Sequence, residues 1–366
     1  MSRFKSSRGK TWDNVTEHTK TRFGYRSSTK TGLRRLAYGL SAILILVAGA
    51  ITISRTFAAT AIPSEPSYGV MIQVSTLDPT ISPAQLKSYL EDIRLKHRNP
   101  QKPAYINRIV LQDIADKDGK LYKSYLDVIA PYLPGGSLKA FDYAYVGTVD
   151  LAWTGAGSKY IEGIKDTNFR AQNVSISKSA AAAFKLAYPK AQFDWYITYE
   201  ANLAGFWDKS IESAYLTYIN TLSTELNKIS FKQRVMWSPA FWTPYSQYQP
   251  GNELAWALPD LSANLTDLFT NAKTPIFLDL QDFVGQSNGA STKENAVAWI
   301  KFIQLNGGAK TAGMLLNAEQ FKMVNGAISV GDSVEVPTRM AYYKAQGVPV
   351  GPSWEIRYWH KRLYGN

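Results

Sequence analysis

Short apolar runs recur along this chain at intervals of about 35 to 50 residues, with amphipathic stretches between them. The runs are Tyr68–Val74, Arg108–Ile114, Phe141–Leu151, Phe193–Glu200, Arg234–Ala240, Pro275–Phe283, Ala312–Glu319 and, least clearly, Val348–Trp354. Each is short enough for a strand, and the spacing leaves room for one helix and two loops. Helix patterns fill the gaps. Ser82-Pro83 offers an N-cap and a proline at the first helical position, opening a helix over Ala84–His97. Lys123–Leu133, Ser177–Tyr188, Leu261–Asn271 and Glu294–Leu305 read as helices too. Ser210–Ile229 is the strongest, with Ile211, Tyr215, Tyr218, Ile219, Leu222 and Leu226 on one face. Eight strand–helix units predict an α/β chain folded as a (β/α)8 TIM barrel over residues 68–366, with its chemistry at the C-terminal strand ends. An open doubly wound sheet fits less well, because no Gly-x-Gly-x-x-Gly follows an early strand and no Walker loop occurs.

Composition narrows the chemistry. The 366 residues contain no cysteine, which excludes a disulfide framework, a thiolate nucleophile and cysteine-ligated metal. The three histidines, His18, His97 and His360, form no convincing triad, and neither a metal site nor a cofactor is expected. Aromatic content is 13%, most of it assignable to barrel packing, although the cluster Trp237, Phe241, Trp242 and Tyr245 falls at a strand end.

Charge divides the chain unevenly. Residues 1–35 carry ten Lys/Arg against two Asp/Glu, a net of +8 out of the chain's +12. Such a tail could bind nucleic acid, but it runs through Arg34-Arg35 straight into Leu36–Ile53, 18 residues without a charge. Positive residues ahead of an apolar segment mark the cytoplasmic side of a membrane insertion signal. The expected organisation is a basic cytoplasmic tail over 1–35, a transmembrane or signal segment over 36–53 and a linker over 54–67. Ala59-Thr60-Ala61 fits a signal-peptidase site, so both an uncleaved anchor and cleavage near Ala61 stay open. Either way the barrel is expected outside the cytoplasm, with a membrane partner and no nucleic acid.

Glycoside hydrolysis needs two carboxylates at such a mouth, one to protonate the leaving oxygen and one to attack or to activate water. Glu200 closes the fourth run behind Trp195, Tyr196 and Tyr199, an apolar setting that would keep it protonated. Glu319 closes the seventh run and is the expected nucleophile or base; the alternatives are a buried salt bridge for Glu200 and a pairing with Lys322 or Arg339 for Glu319. In the sixth run, strand alternation sets Asp279 and Gln281 on one face and Asp282 on the other, unless a turn at Gly285 swings Asp282 into the mouth. Asp282 and Asp150 are candidate ligands for sugar hydroxyls, or else helix N-caps. Gln112 and Gln281 supply amides for the same purpose. Tyr199, Trp237, Trp242 and Tyr245 are candidate aromatic contacts, with Trp237 also readable as core.

Several of these segments resemble the DUF4434 family of glycosidase-like barrels. Ile109-Val110-Leu111-Gln112 with Leu121-Tyr122-Lys123-Ser124 is similar to that family's second-strand glutamine and Tyr-x-Ser, and Trp195 to Glu200 to its fourth-strand Trp-Tyr…Glu segment. Trp237-Ser238-Pro239 is similar to its Ser-Pro element, Gln281-Asp282-Phe283-Val284-Gly285 to its Gln-Asp-x-x-Gly signature, and Glu319-Gln320-Phe321 to its Glu-x-Phe. The third-strand region and the eighth strand depart from the pattern. The resemblance implies a glycosidase-like barrel without naming a sugar.

The function expected is an exported or membrane-anchored glycoside hydrolase acting on an extracellular or cell-envelope polysaccharide, with retention favoured over inversion. The alternative is a catalytically silent barrel that binds a glycan during envelope assembly. A retaining pair would place the carboxyls of Glu200 and Glu319 about 5 to 5.5 Å apart.

Overall fold

The structure, a computed structural model, describes residues 69–99, 105–287 and 289–364. The tail, the apolar segment, the linker and its cleavage motif all lie outside the described residues. Among the described residues no helix is long and apolar enough to cross a membrane.

All eight expected strands form: β1 Gly69–Gln73, β2 Arg108–Asp113, β3 Tyr143–Val146, β4 Asp194–Ile197, β5 Val235–Trp237, β6 Ile276–Gln281, β7 Gly313–Asn317 and, after a hairpin, β10 Pro352–Ser353. They pair in parallel in the order β10-β1-β2-β3-β4-β5-β6-β7. The ring closes where Leu316 N–H donates to the Pro349 carbonyl (2.9 Å) and Gly351 N–H donates to the Leu316 carbonyl (2.9 Å). Around the strands run α1 Pro83–Lys96, α2 Lys123–Ile129, α3 Thr167–Ala187, α4 Lys209–Ile229, α5 Leu258–Asn271, α6 Lys293–Leu305, α7 Glu335–Ala345 and α8 Ile356–Tyr364. One helix follows each barrel strand, as a (β/α)8 barrel requires.

Local chemistry sets the boundaries. Ser82 and Gln85 exchange side-chain and backbone hydrogen bonds (3.2 and 2.8 Å) in a capping box ahead of α1. α3 starts ten residues before the expected Ser177, because Asp166 caps it by accepting from Phe169 N–H (2.9 Å). The hairpin of β8 (Phe321–Val324) and β9 (Ala327–Val330) was not expected from the sequence, and α7 and α8 complete the eight units where no helix range was assigned. It turns at Asn325-Gly326, both with positive φ (50° and 76°), the pair that a tight hairpin favours.

The interior of the barrel is filled by one side chain from each of seven strands: Met71, Val110, Tyr145, Tyr196, Met236, Phe277 and Leu315. Alternation then fixes what lies above them. Gln112, Ser238, Asp279, Gln281 and Asn317 share the inward phase of their strands, and Glu200 continues that of β4 just beyond its end. Residues of the opposite phase, such as Trp195, Trp237 and Leu278, pack outward against the helices in the larger core.

Candidate active site

Glu200 is the half-buried carboxylate at the centre of the mouth. Its Oε1 accepts from the amides of Gln112 (3.1 Å) and Gln281 (3.2 Å), reaching in from β2 and β6. Gln281 also donates to the Ser238 carbonyl (2.7 Å), which ties it to the end of β5. Burial, then the nearby negative charge of Asp150, push the Glu200 carboxyl up to about 7, against opposing pulls from Lys159 and the two glutamines. At neutral pH such a group is poised to give up or take a proton.

The loop between β3 and α3 covers this carboxyl from one side. Asp150 is exposed and forms an ion pair with Lys159. Lys159 lies over the Tyr199 ring (4.9 Å), and the Tyr199 hydroxyl donates to its carbonyl. Tyr160, the next residue, meets Trp242 edge to face at 5.0 Å, and Trp242 runs nearly parallel to Phe283 at 6.2 Å. Tyr160 and Phe283 were not singled out from the sequence. Phe283 holds a positive φ (56°), rare for a bulky residue, so the surrounding turn imposes its conformation. Trp354 follows β10 and packs half-buried on the interior layer; its strand was too short to signal it.

Other candidates do not reach the mouth. Asp282 does not swing in: it is fully buried, ion-paired with Arg339 (2.9 Å) and accepting from the Tyr343 hydroxyl (2.9 Å), both on α7. The alternation rule decides its direction. Gly285 is small for another reason, since a Cβ there would lie 2.2 Å from the Phe321 carbonyl. Tyr199 and Trp237 carry the outward phase and are fully buried, with the Trp237 indole donating to the Tyr199 carbonyl (2.9 Å). Both are core residues rather than sugar contacts. Tyr245 packs edge-on against Trp299 of α6 (4.9 Å) and tilted against Phe302 (5.9 Å), a half-buried position rather than an open platform.

Glu319 lies beyond the end of β7, as expected, but only 1% exposed. Its Oε2 accepts from Gln286 N–H (2.9 Å), while Arg339 donates to its backbone carbonyl (2.5 Å) rather than to its carboxyl. Burial, then the charge of Asp282, push this carboxyl well above its ordinary range. Two residues before Gln281 on β6, Asp279 is fully buried with both carboxyl oxygens unpartnered. Burial drives its pKa far up and favours the neutral form. Gly351 makes room for it: a Cβ there would come within 1.9 Å of the Asp279 carboxyl. Among the described residues no group of three or more His, Asp or Glu could hold a metal ion.

Comparison with known proteins places the architecture. No family model matches the chain, and no curated protein matches it in sequence. In structure it is similar to a provisionally assigned alpha-L-fucosidase from Bacteroides thetaiotaomicron, with a TM-score of 0.55 at 11% identity over 79% of this chain and 85% of that one. The chain has a (β/α)8-barrel fold of the kind that glycoside hydrolases use. A family GH18 chitinase from Cycas revoluta (TM-score 0.45, 10% identity, 79% and 95% covered) and an intracellular xylanase from Thermoanaerobacterium saccharolyticum (0.43, 13%, 79% and 85%) also match, at scores too low to add to this. At these identities the likeness speaks for the fold, and the site rests on its own geometry.

Proposed function

We propose that the chain is a glycoside hydrolase with Glu200 as the general acid. The observation that carries this reading is a carboxyl at the end of the fourth strand, open to the mouth, fixed by two amides and raised to about 7. An acid of that pKa is protonated often enough at neutral pH to donate to a departing sugar oxygen. Gln112 and Gln281 hold the carboxyl in place. Tyr160, Trp242, Phe283 and Trp354 supply ring area for the apolar faces of sugars.

The second carboxylate is the finer question. Glu319 was the sequence expectation, but a buried carboxyl kept neutral is a poor nucleophile or base. Asp150 is exposed and close enough for its charge to be felt at Glu200, and we assign it that role. Whether the outcome is retention or inversion follows from the carboxyl separation in a substrate complex. The sequence segments that resemble the DUF4434 family include Gln112, Glu200 and Gln281, the three residues that meet at the site. The apolar run behind Arg34-Arg35 supports an extracytoplasmic location and an envelope or extracellular polysaccharide as substrate. Protease accessibility of the barrel in intact cells tests that placement.

The deciding experiment is product analysis on a polysaccharide panel with wild type, Glu200→Gln, Asp150→Asn and Glu319→Gln. Turnover abolished in the first two and retained in a folded Glu319→Gln supports the assignment. Binding without products from wild type favours the silent glycan-binding barrel, a reading that the burial of Glu319 and Asp282 also supports.

A further inference from the structure

Most tryptophans among the described residues are buried or half-buried, but Trp207 and Trp256 are 39% and 60% exposed. These two exposed indoles touch each other, edge to face, at 5.1 Å and 71°. Trp207 ends the turn Leu203–Trp207 after β4, and Trp256 sits in the turn Ala255–Ala257 that leads into α5. Both are strand-to-helix loops, so both lie on the face of the barrel that carries Glu200. We infer that Trp207 and Trp256 form a glycan-binding platform outside the cleft, seating a neutral polysaccharide strand that extends beyond the sugar held at Glu200.

The turn carrying Trp207 is held from several sides. The Asn264 amide of α5 donates to the Phe206 and Trp207 carbonyls (2.7 and 3.3 Å), and the Tyr248 hydroxyl donates to the Ala204 carbonyl (3.1 Å). Asn202 accepts from Ala204 N–H (3.1 Å) and from Trp242 N–H (3.2 Å), joining this turn to the aromatic wall of the mouth. A fixed backbone turn, with the two indoles leaning on each other, leaves less freedom to lose on binding, which is what a stacking surface needs. In an edge-to-face pair, ring faces remain uncovered by the pair itself. The flanking cations are matched: Lys165 pairs with Asp208 (3.2 Å), and Lys209 pairs with Glu212 (2.6 Å) and Asp267. Charge at the rim therefore gives an anionic strand no advantage, and two apolar ring surfaces suit an uncharged sugar chain.

This inference takes its glycan ligand from the proposed function, but its test is separable from turnover. The full chain, its Trp207→Ala/Trp256→Ala double variant, the ring-preserving Trp256→Tyr variant and Glu200→Gln would be sedimented with insoluble cellulose, chitin and β-1,3-glucan. The expected result is binding of at least one polymer, weakened at least tenfold in the double variant and largely kept in Trp256→Tyr and Glu200→Gln. With turnover on short oligosaccharides unchanged in the double variant, the platform is confirmed. Absence of turnover alongside intact platform binding removes the hydrolase reading and leaves the platform standing. Equal binding by wild type and the double variant, or no polymer bound at all, overturns it. So does a wild-type self-association lost in the double variant, which would assign the indoles to contact between copies.

Discussion

Glu200 and Glu319 look alike in sequence, each closing an apolar run at the mouth of the same barrel, yet their surroundings differ in kind. Around Glu200 the neighbours are neutral amides, an exposed ion pair and half-buried rings. Around Glu319 they are a backbone amide, a buried Asp282–Arg339 pair and a covering turn. The first arrangement leaves a carboxyl reachable and its proton movable. The second uses the Asp282 carboxylate and the Glu319 carbonyl to fasten the ends of β6 and β7 to α7. A strand end is a place where chemistry can occur, and burial decides whether the acid there reacts or holds the fold.

The sharpest way to break this contrast is to neutralise each side. Glu200→Gln should lower turnover by about 10²- to 10⁴-fold with little change in melting temperature; a variant retaining full turnover would transfer the acid role elsewhere. Asp282→Ala should instead unfold more easily by about 3–5 kcal/mol in denaturant titration, because it removes the buried counter-charge of Arg339 and leaves it only the exposed Glu335 (3.2 Å). An effect on turnover alone, at unchanged stability, would return Asp282 to the site.

Two pH experiments sharpen the comparison. Asp279 has a folded-state pKa above its unfolded value, so its contribution is fully present below the unfolded pKa and is lost as pH rises toward the folded one. Melting temperature should therefore fall with rising pH above about 4, and Asp279→Asn should flatten that fall. For Glu200 the alkaline limb of the pH–rate profile should lie near its pKa of about 7. Lys159→Gln removes the cation that lowers this value, so the limb should move to higher pH; a downward shift would contradict the electrostatics. The smallest effect separates two rings: Trp242→Ala should weaken oligosaccharide binding by about 1–2 kcal/mol, while Tyr245→Ala should lower melting temperature and leave affinity alone.

Much of the architecture was legible because buried parallel strands are short apolar runs whose spacing survives any detail of packing. Even Pro352–Ser353 was marked, though only faintly, since two paired residues leave little pattern. α7 and α8 were not, because α7 carries a proline and few apolar positions and α8 is short and rich in charge and aromatics. The hairpin has a local signal in Asn325-Gly326 but no strand pattern long enough to frame it. At the site, alternation counted from the interior layer puts Gln112, Glu200 and Gln281 inward and Tyr199, Trp237 and Asp282 outward. From the sequence it separates only the residues of the sixth run, and Tyr199 and Trp237 stand as candidate aromatic contacts. Gly285 suggests a turn that brings Asp282 into the mouth, but its smallness answers to the Phe321 carbonyl instead. What no linear pattern conveyed is the depth of Glu319, which depends on a turn from the neighbouring strand folding over it.

The two glutamines also determine which way the acid is aimed. Gln281 must turn its nitrogen toward the Ser238 carbonyl, which can only accept, so the same nitrogen faces Glu200. With a second amide arriving from Gln112, Oε1 is occupied by two donors and has no place for a hydrogen of its own. The dissociable proton is thereby confined to Oε2, so the carboxyl works with a single fixed muzzle, and a leaving oxygen must approach from that side.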